Sequence, residues 1–179
     1  MKIKMLIFVF LLGITDLLAQ TLYVPGTIVK GKNASYYCSS ENEIFIKVNN
    51  VNNVDTTTTM YYDDGTVVPF DEGSAVIETK NEDLVRVFQE ALTQKEIDIL
   101  KSKISYLLML NIVADKQGNT LEITFSFRNN DPVMTKFTPD RFYQLEQELK
   151  KILRLDPNSL DKSIKNIKYI QAISYKDLK

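Results

Sequence analysis

Hydrophobic positions fall into three regimes along this chain. Met5 to Ile14 is one apolar run, interrupted only by Gly13. From about residue 21 to 80, apolar residues come in short groups rich in β-branched and aromatic types. These groups are Thr27-Ile28-Val29, Ser35-Tyr36-Tyr37-Cys38 and Glu43 to Val48, followed by Thr56 to Tyr62. Such groups predict short strands. Asp63-Asp64-Gly65 then precedes Thr66-Val67-Val68, and an Asp-Gly between two β-favouring runs predicts a hairpin, because Gly accepts the positive φ of a primed turn. The Asn-rich stretch Asn49 to Asp55 predicts an exposed loop, since Asn favours turns over ladders.

From residue 81 the spacing becomes helical. Asn81 is placed to cap a helix whose Leu84, Phe88, Ala91 and Leu92 share one stripe. Thr93 and Glu96 have capping-box spacing, with Leu92 and Ile97 as the staple; Ile97, Leu100 and Ile104 continue the buried face. Tyr106 to Ala114 is apolar almost throughout, which suits a strand covered on both faces. After the turn Asp115 to Asn119, the residues Leu121, Ile123, Phe125 and Phe127 alternate with Glu122, Thr124, Ser126 and Arg128. That alternation predicts one buried and one wet face. Thr138 as cap and Pro139 as first residue open a last helix stapled by Phe137 and Phe142. Phe142, Leu145, Leu149 and Ile152 are its buried stripe, and Glu146 and Lys150 pair on its outside. A closing strand is expected from Ile167 to Tyr175. The fold class is therefore α+β: a β-rich N-terminal part over 20–80 and an α+β C-terminal part over 81–179.

The first apolar run has a different meaning. About ten residues cannot span a bilayer. Lys2 and Lys4 precede the run and Ala19 follows it, the pattern of a cleavable export signal over 1–19 with the cut between Ala19 and Gln20. No Cys follows the run, as a lipoprotein signal would need, and no second long apolar run offers a membrane span after cleavage. The expected location is outside the cytoplasm, in the periplasm or at the cell surface.

Composition narrows the chemistry. Removing Lys2, Lys4 and Asp16 with the signal takes 22 basic and 23 acidic residues to 20 and 22, a net charge of −2. No basic stripe exists, so nucleic acid is a poor partner. The chain has no His, which removes His-activated nucleophiles and His-ligated metals. It has no Trp, so any sugar-stacking platform would need Tyr or Phe. Cys38 alone cannot form an internal disulfide; it is a reactive or intermolecular thiol, or a small buried apolar residue, and with no His to activate it the second reading leads. Asp63, Asp64, Asp71 and Glu72 cluster around a hairpin but fit no calcium loop, and no Gly-rich phosphate loop or Cys-x-x-Cys pair occurs. No cofactor is expected and the chain is not read as an enzyme. Tyr23, Tyr36, Tyr37, Tyr61, Tyr62 and Phe70 concentrate in the first part, mainly as core. In the pairs Tyr36-Tyr37 and Tyr61-Tyr62 one ring faces each side of a strand, which makes Tyr36 and Tyr61 binding candidates.

The run Leu110 to Asn119, with its Asp-Lys-x-Gly-Asn hairpin, is followed by an alternating strand, a helix from Thr138 to Leu153 and a closing strand. Over roughly 94–176 this order resembles the C-terminal domain of TonB-type proteins. The resemblance implies a small periplasmic αββαβ module that recognises an extended peptide by pairing at a sheet edge. The whole chain resembles small exported proteins of unknown function from Bacteroides-type bacteria, in which an Ala-Gln junction after the signal is frequent. Asp55-Thr56-Thr57 is similar to the O-glycosylation acceptor pattern of those bacteria. The function expected is a non-catalytic interaction module of the cell envelope, with an envelope protein or extended peptide as partner. A structural or assembly component and an enzyme with no recognisable motif stay open as alternatives. Edge pairing would use the strand Leu121 to Arg128, with Glu122, Thr124, Ser126 and Arg128 setting preference, or the closing strand Ile167 to Tyr175.

Overall fold

The computed structural model describes residues 21–55, 59–69, 75–103, 105–157 and 163–179. The expected signal with Ala19 and Gln20 lies outside them, as do Thr56, Thr57, Phe70, Asp71, Glu72 and Ile104. Among the described residues no helix is long and apolar enough to cross a membrane. The elements in chain order are β1 (Ile28–Lys30), β2 (Ser35–Ser40), β3 (Phe45–Asn50), β4 (Val76–Ile77), α1 (Asn81–Glu90), α2 (Gln94–Lys101), β5 (Leu107–Ala114), β6 (Thr120–Arg128), α3 (Pro139–Ile152), β7 (Leu155–Asp156) and β8 (Ile167–Ser174). The class is α+β.

Six strands form one antiparallel sheet in the order β1-β2-β3-β6-β5-β8, and β4 pairs with β7 beside it. The helix-strand-strand-helix-strand order from α2 to β8 is present, but its three strands are not a self-standing sheet. β6 pairs onward with β3, from Arg128 opposite Phe45 to Thr124 opposite Asn49.

One face of the sheet carries the core. Tyr36, Cys38, Ile46, Val48, Leu108, Leu110, Ile112, Ile123, Phe125, Phe127 and Ile173 meet the buried sides of the helices there. Phe142 of α3 is the hub, with ring centroids 4.8 Å from Phe125, 5.0 Å from Phe137 and 5.5 Å from Tyr23. The caps form as their chemistry demands. Thr93 and Glu96 close the capping box of α2. The Thr138 hydroxyl accepts from the Arg141 N–H at the start of α3, with Pro139 in the first turn. Gly118 in the β5–β6 turn has φ +79°, and a Cβ there would lie 1.8 Å from the Leu155 carbonyl oxygen, so two constraints demand glycine. The Asp-Gly hairpin also forms, with Gly65 at φ +86° and Tyr61 bridged to Val67.

Several expectations are corrected. Asn81 is the first residue of α1 rather than its cap; Lys80 holds the cap position without a side-chain hydrogen bond. Ala91 and Leu92 are half-buried just past the end of α1. Asn49 and Asn50 belong to β3, because the ladder to β6 and β2 reaches them before the chain turns. β5 is buried fully on one face and only partly on the other.

The largest correction concerns Glu146. It is 1% exposed, not on the outside. Its carboxylate accepts from the Tyr36 hydroxyl at 2.7 Å, Asn50 Nδ2 at 3.1 Å and Lys150 Nζ at 2.6 Å. A charge is held inside only when its hydrogen-bonding capacity is met, and those three donors meet it.

Candidate functional site

The residues singled out by sequence are scattered. Tyr36 is fully buried; its neighbour Tyr37 is the exposed ring. Burial and the adjacent Glu146 charge hold the Tyr36 hydroxyl far above its ordinary pKa, so it acts as a fixed donor. Tyr61 is exposed and lines a shallow depression of about 200 Å³ with Val54, Asp55, Thr59, Lys165 and Asn166. That is smaller than the roughly 300–1,000 Å³ of small-molecule pockets.

Glu122, Thr124, Ser126 and Arg128 do share the face of β6 away from the helices, yet β6 has β3 on one side and β5 on the other. Its ladder is fully used, so no strand can add there, and the expectation of a rim at Leu121–Arg128 fails. Nor is this face simply wet. Ser126 is buried and accepts from Asn111 Nδ2 at 3.0 Å. The Glu122 carboxylate accepts from the N–H groups of Val54 and Asp55, which pins the chain after β3 across this face. Leu121, expected in the core, is exposed.

The rims of the sheet are β1 and β8. In an antiparallel ladder, opposed residues alternate between pairs that exchange hydrogen bonds and pairs that do not. Tyr106 and Tyr175 extend the β5–β8 register, and the Tyr175 N–H donates to the Tyr106 carbonyl. Alternate pairs behind them, Leu108–Ile173, Leu110–Gln171 and Ile112–Tyr169, are therefore the bonded ones. It follows that Ile170, Ala172 and Ser174 turn their N–H and C=O groups away from β5, off the rim. Among the described residues nothing accepts from these three N–H groups; the Ala172 carbonyl accepts from the side-chain amide of Gln171 at 3.1 Å. Ile170 is 62% exposed and Ala172 is exposed on the helix-free face. Sequence periodicity marked β8 as a strand, but only the pairing order reveals that it is last in the sheet.

Elsewhere, Asp131 and Cys38 are committed to structure. Burial pushes the Asp131 carboxyl up, against the pull of the Met134 N–H, the Tyr175 hydroxyl and the Val133 N–H. Those contacts measure 2.8, 2.7 and 2.9 Å and tie the loop after β6 to the C-terminal turn. Cys38 is buried in β2, and burial raises its thiol to about 11, which keeps it protonated at neutral pH. No cluster of three or more Cys, Asp or Glu fit for a metal occurs among the described residues.

A two-layer α+β protein with helices on one face and one long sheet rim is thus the class that fold and site define. The chain is similar in structure to a DUF5043 family protein from Bacteroides uniformis, with a TM-score of 0.69 and 19% identity over 87% of this chain and 88% of that one. At that identity the likeness establishes the fold and no activity; it agrees with the expected likeness to Bacteroides-type proteins of unknown function. No protein-family profile and no curated protein matches the chain.

Proposed function

We propose that this chain is a non-catalytic interaction module of the bacterial cell envelope, exported by its N-terminal signal, that binds an extended protein segment at the β8 rim. One observation carries the reading: Ile170, Ala172 and Ser174 aim N–H groups that have no acceptor among the described residues outward along a strand of eight residues. Main-chain groups of that kind supply affinity for an added strand, and side chains on alternate positions supply preference. The TonB-type resemblance implies the same mode of recognition, and the export signal implies where it would operate. Committed buried groups and the small depression favour binding over catalysis.

Amide hydrogen exchange of the native chain, with and without envelope extract from its host, tests the reading. Protection gained at Ile170, Ala172 and Ser174 is expected. Protection gained only around Tyr61 and residues 51–55 would move the site to the depression and refute the rim.

A further inference from the structure

We propose that the segment added at the rim is β8 of a second copy of this chain, antiparallel, with Gln171 on the two-fold axis; this rests on the reading of the rim above. A two-fold axis requires each outward-facing residue to meet another outward-facing residue. Axes between residues set outward groups against inward ones and are excluded by the ladder phase. Four axes remain near the centre of β8, and one at Tyr169 sets Lys168 against Ile170 and carries Ala172 and Ser174 past the strand, opposite Asn166 and Ile164. An axis at Ile170 places Ser174 opposite Asn166, beyond the strand. An axis at Ala172 sets Lys168 against Lys176, a like-charge pair, and Ile170 against Ser174. An axis at Gln171 places Ile170 of one copy opposite Ala172 of the other, twice by symmetry, and sets Lys168 against Ser174. It therefore covers Ile170, the most exposed large apolar side chain of the rim, with an apolar neighbour, opposes no like charges and, unlike an axis at Ile170, keeps every outward residue from Lys168 to Ser174 opposite a residue of β8.

From Ile170 to Ser174 the rim also lacks the usual protection. Natural edges are blunted by Pro, by inward charges, by bulges or by shortness. β8 has no Pro, its one charged residue is Lys168 near one end, and its pairing with β5 runs without a register shift over eight residues. A self-paired rim joins two sheets into one continuous sheet and leaves the helices of both copies free to pack as they do now.

The test is a single-cysteine scan at Ile170→Cys, Gln171→Cys and Ala172→Cys in a Cys38→Ala background, with sedimentation equilibrium of the native chain. Residues on the axis in a non-hydrogen-bonded pair have Cα atoms about 4.5 Å apart, within disulfide range. Fastest symmetric cross-linking at Gln171→Cys is expected, with a concentration-dependent dimer of the native chain. Ala172→Pro removes an N–H that no described residue accepts from, once per copy, and should weaken the dimer by at least about tenfold while leaving circular dichroism unchanged. Ile170→Lys, at an exposed site, should weaken it as well. Fastest cross-linking at Ile170→Cys or Ala172→Cys would overturn the register. A native chain that stays monomeric would overturn the second copy. If envelope extract then protects Ile170 to Ser174, the rim reading survives alone; if it does not, both fall.

Discussion

At one end of the sheet β1 is three residues long and is held down; at the other, β8 is eight residues long and is tied near its start, where Lys168 donates to the Asp55 carboxylate, but not from Ile170 to Ser174 among the described residues. The β1 rim is tied to α3. The N–H groups of Lys32 and Asn33 donate to the Asp140 carboxylate, and Gly31 packs so close to Pro139 that a Cβ would lie 2.8 Å from the proline's own. Just before β1, the Tyr23 hydroxyl donates to the Phe137 carbonyl across the chain. Shortness and these ties make β1 a poor template. β8 is anchored by β5 on its inner side and by buried Ile167 and Ile173, while the outward N–H groups of Ile170, Ala172 and Ser174 have no acceptor among the described residues. This contrast between a tied edge and an open one is what the proposed binding at β8 rests on.

The sharpest way to break the comparison is at the hub beneath the closed end. Phe142→Ala removes the ring that joins Tyr23, Phe125 and Phe137 and should cost about 3–5 kcal/mol in urea unfolding. Ile170→Ala at the open end should change monomer stability by no more than about 0.5 kcal/mol, because its side chain is mostly in water. Equal losses would erase the difference between the two ends.

Next in size is Glu146→Ala, which strands the buried Tyr36 hydroxyl and Asn50 amide and should cost about 1–3 kcal/mol. Glu146→Gln keeps an acceptor for Tyr36 and should cost less; the reverse order in unfolding midpoints would show that the carboxylate is not what holds α3 to β2 and β3. Cys38→Ala, also beneath the closed end, should cost about 1 kcal/mol and leave rim binding unchanged. Loss of binding without loss of stability would give the thiol a role.

The smallest effect is one of pH. Arg141 forks onto the Glu96 carboxylate at 2.7 and 2.8 Å and holds it down at about 2, against a usual value near 4.5. A carboxyl depressed by folding stabilises above its unfolded value, and that contribution fades as pH falls from about 4.5 toward 2. Both side chains remain partly solvated, so it should be below about 1 kcal/mol. Glu96→Gln should remove this part of the acid loss seen in unfolding at pH 7 and pH 3. An unchanged acid loss would assign it elsewhere.

Much of the fold was legible in the sequence because local chemistry decides it. The capping box at Thr93, the Thr138-Pro139 start of α3, the two Gly turns and the strand β6 with its buried Ile123, Phe125 and Phe127 all form where their residues place them. What was not legible depends on pairing at a distance. Periodicity assigns Glu146 to the outside of α3 by its charge, but two of its three donors come from β2 and β3, about a hundred residues earlier. Alternation reads Ser126 as wet, but Asn111 on the neighbouring strand covers it. The choice between Leu121–Arg128 and Ile167–Tyr175 as the rim turns on β3 pairing with β6, a contact that no local pattern encodes.

The openness of β8 is most directly measured by residue-resolved amide exchange of the dilute chain. The ladder phase predicts alternation along one strand: slow exchange at Tyr169, Gln171 and Ile173, whose N–H groups bond to β5, and fast exchange at Ile170, Ala172 and Ser174. Uniformly slow exchange across all six would mean a covered rim and would contradict the account.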